Sequence, residues 1–109
     1  KKQTKDYANS QIQYIKNYLK KKKNKDIILL GDLNMTHTSN RFEDFLSKTN
    51  LFTNISYFNL NSTWHTVIPK FLGIQIDHIL FSKKFSFLKN KTLNNFNSDH
   101  RPLIFKLKY

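Results

Sequence analysis

The spacing of apolar residues along the chain predicts two helices. In residues 9–23, isoleucine and leucine recur at helical spacing, and lysines gather at the carboxyl end, where cations favour the helix dipole. The segment Arg41–Lys48 shows the same periodicity over a shorter length. Ser39 or Asn40 is expected to cap this second helix, and Glu43 is placed for a capping box on Asn40.

Short apolar runs predict the strands of a sheet. Ile27–Leu30 is an unbroken apolar run, typical of a buried strand, and Ile74–Phe81 is apolar on both faces, as a central strand would be. Phe85–Leu93 is a weaker strand, residues 63–67 are a further candidate, and Leu103–Tyr109 alternates like a half-exposed strand. This order of elements predicts an α/β or α+β layered domain with a largely antiparallel or mixed sheet.

Length and composition restrict the class of protein. The chain has 109 residues, enough for one domain with a modest core, and 39% of them are hydrophobic, which excludes a disordered chain. The lack of cysteine excludes disulfide frameworks, cysteine nucleophiles and cysteine-based zinc sites. With only Gly31 and Gly73, the chain has neither a Walker loop nor a dinucleotide fingerprint, so no small organic cofactor is expected.

The sequence does not determine the cellular location of the protein. No pattern of a targeting or membrane-spanning segment is visible, and the chain lacks an initiating Met. Both a cytoplasmic and a membrane-tethered, extracytoplasmic location agree with this, and the chain could be a piece of a longer protein.

The charge balance is strongly basic, with two explanations that remain open. Nineteen basic residues against seven acidic ones give a net charge of +12, which favours a polyanionic partner such as nucleic acid or anionic lipid. However, 17 of the basic residues are Lys and only two are Arg, and 13 residues are Asn. Arg is the residue preferred for phosphate recognition, so the bias also agrees with the codon usage of an AT-rich genome.

Three of the seven acidic residues lie at or inside the most apolar segments of the chain. These are Asp32, Asp77 and Asp99. A carboxylate buried in such a segment needs a cationic or hydrogen-bonding partner, and His100 is a candidate because a carboxylate on one imidazole nitrogen raises its basicity and fixes its tautomer. Taken singly, each residue also has a plain interpretation: Asp32 could cap a turn, Asp77 could be a surface acid on an edge strand, and the segment 99–102 could be a loop.

The remaining histidines and the tryptophan have no spacing typical of a metal site. His78 is predicted to be a packed strand histidine rather than a ligand, and His37 and His65 to be ordinary loop or strand residues. Trp64 is predicted to lie in the core.

Three strings taken in order change this picture. They are Ile27-Ile28-Leu29-Leu30-Gly31-Asp32-Leu33-Asn34, Ile76-Asp77-His78-Ile79-Leu80 and Ser98-Asp99-His100-Arg101-Pro102-Leu103. Together they resemble the C-terminal half of the endonuclease/exonuclease/phosphatase superfamily, the fold of deoxyribonuclease I and of exonuclease III-type endonucleases. The resemblance covers essentially the whole chain.

The resemblance implies a catalytic role for five positions. Asp32 would orient and deprotonate the attacking water, and Asn34 would bind the phosphate or help to place that water. His100 would donate to a non-bridging phosphate oxygen, Asp77 would hold His100, and Asp99 would lie near a divalent metal. The resemblance implies Mg²⁺ or Mn²⁺, with Asp99, Asp32, Asn34 and His100 as the residues around it.

One departure from the family's pattern is serious. The principal metal-binding Glu of the family belongs to an N-terminal half, and Glu43, the one Glu here, does not match its motif. The predicted fold is therefore one half of a four-layer αββα sandwich, a mixed sheet with flanking helices, in which residues 1–109 are the C-terminal half and the N-terminal half is missing. Such a half would expose the apolar face that packs on its partner sheet.

The implied function is metal-dependent phosphoester hydrolysis, with a phosphodiesterase or nuclease favoured and the isolated chain inactive. The substrate would be nucleic acid first, with a phospholipid or small phosphoester as alternatives. A second hypothesis is a degenerate, basic half-domain that binds nucleic acid or anionic membrane without catalysis.

Overall fold

The computed structural model describes residues 2–53, 62–65, 74–94 and 97–109. They form a small domain of mixed α/β structure with two antiparallel sheets. The elements in chain order are α1 (Lys2–Lys20), β1 (Ile28–Asp32), α2 (Asn40–Thr49), β2 (Asp77–Phe81), β3 (Ser86–Thr92) and β4 (Leu103–Lys108).

The described strands pair as two antiparallel ladders. β1 pairs with β2 in a register that sets Ile28 opposite Phe81 and Asp32 opposite Asp77. β3 pairs with β4, with an irregularity in register between Phe87 and Lys89. No parallel pair occurs in the described ranges, so the expectation of a mixed sheet is not met there; apolar runs reveal strands but carry no information on strand direction.

β2 is flanked on both sides, in agreement with its predicted central place. β1 lies along one side, and on the other side Phe81 exchanges two backbone hydrogen bonds with Phe52, at 2.8 and 3.0 Å. Along β4, half-buried and exposed residues alternate, as predicted for a half-exposed strand. Of the predicted strand 63–67, residues 66 and 67 lie outside the described part, as do 54–61 of the Asn-rich segment before it.

The two helices cover one face of the β1–β2 ladder. α1 begins earlier than predicted, since its first turns lack the apolar spacing that marked the rest. Lys16 Nζ of α1 reaches Asp44 Oδ2 of α2 at 2.7 Å. The core between helices and ladder is built from large apolar side chains: Leu19, Met35, Phe42, Phe45, Leu51 and Leu80.

Of the two predicted caps of α2, Ser39 and Asn40, the structure shows the first. Ser39 is the N-cap, and its hydroxyl accepts a hydrogen bond from the Phe42 amide at 3.2 Å. The capping box between Glu43 and Asn40 is therefore wrong, because Asn40 is already the first helical residue. Asn50 ends the helix in a left-handed conformation with φ 56°.

The opposite face of the β1–β2 ladder is exposed at two residues of β1, although Phe81 on the same face is buried. Leu29 packs against the core, but Ile28 and Leu30 point the other way and are 45% and 68% exposed. Burial of β1 on both faces is therefore not found, because within the described ranges the helices cover one side only. We call Ile28, Leu30 and their half-buried neighbour Ile79 the open face.

None of the described helices combines the length and apolar character needed to cross a bilayer.

Candidate active site

Two carboxylates stand side by side where β1 ends and β2 begins. Asp32 and Asp77 are directly paired across the ladder, so their side chains project from the same face of the sheet. By alternation this is the open face, since the next residue of β2, His78, points toward α2 and stacks on Phe42. The fold thus places two like charges together, which calls for a cation between them.

His100 lies against both carboxylates and supplies a positive charge when its ring is protonated. Its Nδ1–H donates to Asp77 Oδ2 at 2.8 Å, and its Nε2 lies 3.8 Å from Asp32 Oδ2. The hydrogen bond to Asp77 raises the pKa of His100, and the charges of Asp77 and Asp32 raise it further against the opposing effect of burial. All three side chains are partly exposed, between 24% and 35%. The imidazole is therefore a donor, held by Asp77, that solvent or a ligand can reach.

Asp32 also stabilises the turn that follows β1. Its Oδ1 accepts the amide hydrogen of Asn34 at 2.8 Å, while Oδ2 faces His100. Asn34 is left-handed, with φ 50°, which Asn tolerates better than most residues. Gly31, just before Asp32, has φ 147°, which a side chain would make strained. Asp32 therefore caps the turn through Oδ1, as its plain interpretation predicts, while Oδ2 faces His100.

Asp99 lies beside this group rather than in it. Its Oδ2 accepts a hydrogen bond from the indole N–H of Trp64 at 3.3 Å, so half-buried Trp64 contributes a polar contact besides packing. Among the described residues, the His and acidic side chains that converge within 4.8 Å are those of Asp32, Asp77 and His100. The charge of Asp99 nevertheless contributes to the raised pKa of His100.

His78 is the packed strand histidine that the sequence predicts. It is 1% exposed, and its Nε2–H donates to the carbonyl of Met35 at 2.6 Å. Burial lowers its pKa, so the ring is neutral. This bond ties β2 to the loop that carries Asn34, a connection the sequence did not reveal.

Thr63 is the main residue of this region that sequence reasoning missed. It is fully buried, and its hydroxyl accepts backbone hydrogens from Ile76 and Asp77, both at 3.2 Å. It stands in the candidate strand 63–67, but nothing in that pattern marks its hydroxyl as an acceptor for another strand.

Two concavities of the described surface differ in chemistry. One of about 230 Å³ lies against the site, lined by Leu30, Asp77 and Arg101 among others. The larger, about 860 Å³, is at the opposite end of the β1–β2 ladder and is rimmed by lysines, including Lys22 and Lys83. The smaller one is the candidate substrate approach, because Asp77 of the convergent group lines it.

Comparison with known proteins agrees with this geometry. The model of the endonuclease/exonuclease/phosphatase family matches residues 9–100, so the chain belongs to that family. A search of curated protein sequences gives no match.

Among solved structures, the chain is similar to a mannosyl-6-phosphatase from Bacteroides thetaiotaomicron VPI-5482, with 27% identity and a TM-score of 0.66. The similarity covers 90% of this chain and 43% of that structure, so the chain spans less than half of the protein it matches.

Proposed function

We propose that this chain carries part of the active site of a phosphoester hydrolase. The observation that carries the proposal is the imidazole of His100, held by Asp77 at 2.8 Å and facing Asp32 at 3.8 Å on an exposed edge. A fixed imidazole donor next to an exposed carboxylate is what attack of water on a phosphate requires: one group stabilises the charge that develops on the phosphate, and the other orients the nucleophile.

Each residue of the group has a distinct part. His100 donates to a non-bridging phosphate oxygen, which replaces Asp32 as the neighbour of Nε2. Asp77 is a positioning residue, because its carboxylate fixes the ring through Nδ1. Asp32 Oδ2 orients the water and accepts its proton, while Oδ1 stays bonded to the Asn34 amide. The side chain of Asn34 is exposed beside this turn and binds phosphate or water.

A hard divalent cation, Mg²⁺ or Mn²⁺, fits the carboxylates of this site. Such ions prefer carboxylate oxygens and keep several waters, and exposed Asp32 and Asp99 offer oxygens of that kind with Asn34 close by. His100 fits less well, because the raised pKa favours an imidazolium that a cation would repel. The metal would neutralise charge on the phosphate; the remaining ligands would come from outside this chain.

We propose that the working enzyme contains more than these 109 residues. The matched phosphatase extends beyond the similar region by more than half its length, and the open face of Ile28, Leu30 and Ile79 is a surface that a second sheet would cover. We assign the chain to the C-terminal half of a four-layer domain whose N-terminal half completes the metal site. The chain alone is then inactive.

Two substrate classes compete. The net charge of +12 favours a phosphodiester of a polyanion, nucleic acid before phospholipid. The similarity to a sugar phosphatase favours a small phosphomonoester.

Hydrolysis measured with Mg²⁺ on plasmid DNA, bis(p-nitrophenyl) phosphate and mannose 6-phosphate separates the phosphodiester from the phosphomonoester class. The assay compares the chain alone with the longest polypeptide that contains it.

The Asp32→Asn variant tests the mechanism, with Asp26→Asn as the control of equal charge change. We expect Asp32→Asn to lose at least about a hundredfold in kcat and Asp26→Asn to keep it. Equal activity of both variants would remove the assigned role of Asp32. Salt-sensitive DNA binding without any hydrolysis would instead favour the degenerate binding module.

A further inference from the structure

The segment 62–65 lies between the two parts of the chain that carry Asp77 and His100. On one side Trp64 and Ile74 exchange two backbone hydrogen bonds, at 3.0 and 2.8 Å, and the Thr63 amide also donates to the Ile74 carbonyl. On the other side the Arg101 amide donates to the Thr63 carbonyl at 2.7 Å. We call residues 62–65 the bridging segment.

The hydroxyl of Thr63 makes this bridge specific to Asp77. Its Oγ1 accepts the amide hydrogens of Ile76 and Asp77, both at 3.2 Å, just before β2 begins. The side chain is 0% exposed, so water does not replace it as the acceptor. Without the hydroxyl, two inward amides would lose their partner, and the backbone of Asp77 would have to move to satisfy them.

Thr63 is therefore hydrogen-bonded to the backbone at both members of the Asp77–His100 pair. Its side chain holds the backbone of Asp77, and its carbonyl holds the residue after His100. Neighbours reinforce the second attachment, since Trp64 bridges to His100 and the Ser62 hydroxyl accepts from Arg101 at 3.2 Å. The Nδ1–Oδ2 distance depends on both backbones, and Thr63 is hydrogen-bonded to each of them.

We propose that Thr63 is a positioning residue, which sets the Asp77–His100 hydrogen bond through its buried hydroxyl. The inference rests on the proposed function for its catalytic consequence, but its structural part can be tested without activity. A misplacement of about 1 Å in a group that orients another can reduce turnover about a hundredfold.

Ser82 provides a matched control at the far end of the same ladder. Its hydroxyl accepts the Ile27 amide at 2.6 Å and donates to the Ile27 carbonyl at 3.1 Å, so it also satisfies a strand-end backbone. Ser82→Ala and Thr63→Val each remove one such hydroxyl. Only Thr63 lies next to the catalytic pair, so a merely structural role predicts similar behaviour of the two variants.

The experiment measures two properties of Thr63→Val, Thr63→Ser and Ser82→Ala. The first is the NMR resonance of the His100 Nδ1 proton in the metal-free chain. The second is kcat and KM of the longest active polypeptide on its best phosphoester. We expect Thr63→Val to weaken or shift the resonance and to reduce kcat at least about tenfold with KM changed less than about twofold. Thr63→Ser should restore both, and Ser82→Ala should alter neither.

The outcomes separate the inference from the proposed function. An unchanged resonance and an unchanged kcat in Thr63→Val would overturn the inference, as would equal effects of Ser82→Ala. If the polypeptide shows no phosphoesterase activity while the resonance still responds to Thr63→Val alone, the positioning role stands and the proposed function fails. If Thr63→Val does not fold, Thr63→Ala, which leaves room for a water at the two amides, takes its place under the same criteria.

Discussion

The substitution Asp77→Asn should change the titration of His100 more than any other exchange of one carboxylate for an amide. The side chains are nearly isosteric, so the strand pairing with Asp32 is kept, but the charged acceptor 2.8 Å from Nδ1 is lost. The hydrogen bond to Asp77 is the largest cause of the raised pKa of His100. The pKa in the variant should therefore fall toward the ordinary value of histidine.

The magnitude follows from the exposure of the pair. Fully exposed ion pairs contribute about 0.2–1 kcal/mol, and hydrogen bonds to charged groups contribute about 1.5–3 kcal/mol. With side chains 30% and 24% exposed, the pair lies between these cases, and we expect a coupling of about 1 kcal/mol. Asp32, at 3.8 Å from Nε2, retains part of the stabilisation of the imidazolium in the variant.

The pH dependence of this contribution has a definite sign. Because the folded-state pKa is raised, folding takes up a proton between the unfolded and folded values, and the stabilisation is complete below about pH 6.5. It is lost as the pH rises through the folded pKa. The difference in unfolding free energy between wild type and Asp77→Asn should thus be larger at about pH 5.5 than at about pH 9.

Two measurements check this on the metal-free chain. NMR titration of the His100 ring gives the pKa directly, and urea unfolding at the two pH values gives the free-energy difference. Asp26→Asn is the control, because it removes an equal charge at the distant pair with Lys84. A His100 pKa that stays the same in Asp77→Asn, or falls equally in Asp26→Asn, would refute the reasoning.

Three further changes test other parts of the account. Gly31→Ala should destabilise the chain by about 1–2 kcal/mol in urea unfolding, because φ 147° strains an L side chain although a Cβ meets no atom within 4 Å; no loss would contradict the strain. His78→Phe keeps the ring stacked on Phe42 but leaves the Met35 carbonyl unpaired, for a loss of about 1–2 kcal/mol near neutral pH. Burial lowers the pKa of His78, so below about pH 6.5 the unfolded chain takes up a proton that the folded chain does not, and the wild type loses stability. His78→Phe should lack this loss when unfolding is measured at acid pH. Leu30→Lys should change the free energy of unfolding by less than about 0.5 kcal/mol in urea unfolding, since the side chain is 68% exposed; a large loss of stability would contradict the open face.

The periodic elements could be predicted from the sequence because their apolar spacing reflects one buried face. The core phenylalanines of α2 and the alternation of β4 are examples, and both are found. The exposure of Ile28 and Leu30 could not be predicted from the run itself, since an apolar run does not tell whether a second layer is present in the same chain.

Part of the candidate site could be predicted from the sequence. Asp32, Asp77 and His100 stood out as acids and an imidazole next to apolar strands, and the structure brings them together. The contacts that arrange them were not accessible: Thr63, the Met35 carbonyl on His78 and the Trp64 indole on Asp99 act across long stretches of sequence without periodicity. Such contacts depend on tertiary structure, which neither spacing nor composition encodes locally.

The most direct test of the central claim is the turnover of bis(p-nitrophenyl) phosphate by the longest polypeptide that contains this chain, with and without His100→Gln. The account places the charged imidazole against the phosphate, so we expect the variant to lose at least about a hundredfold in kcat while its fold is kept. Turnover in His100→Gln within about twofold of the unaltered enzyme would contradict the claim.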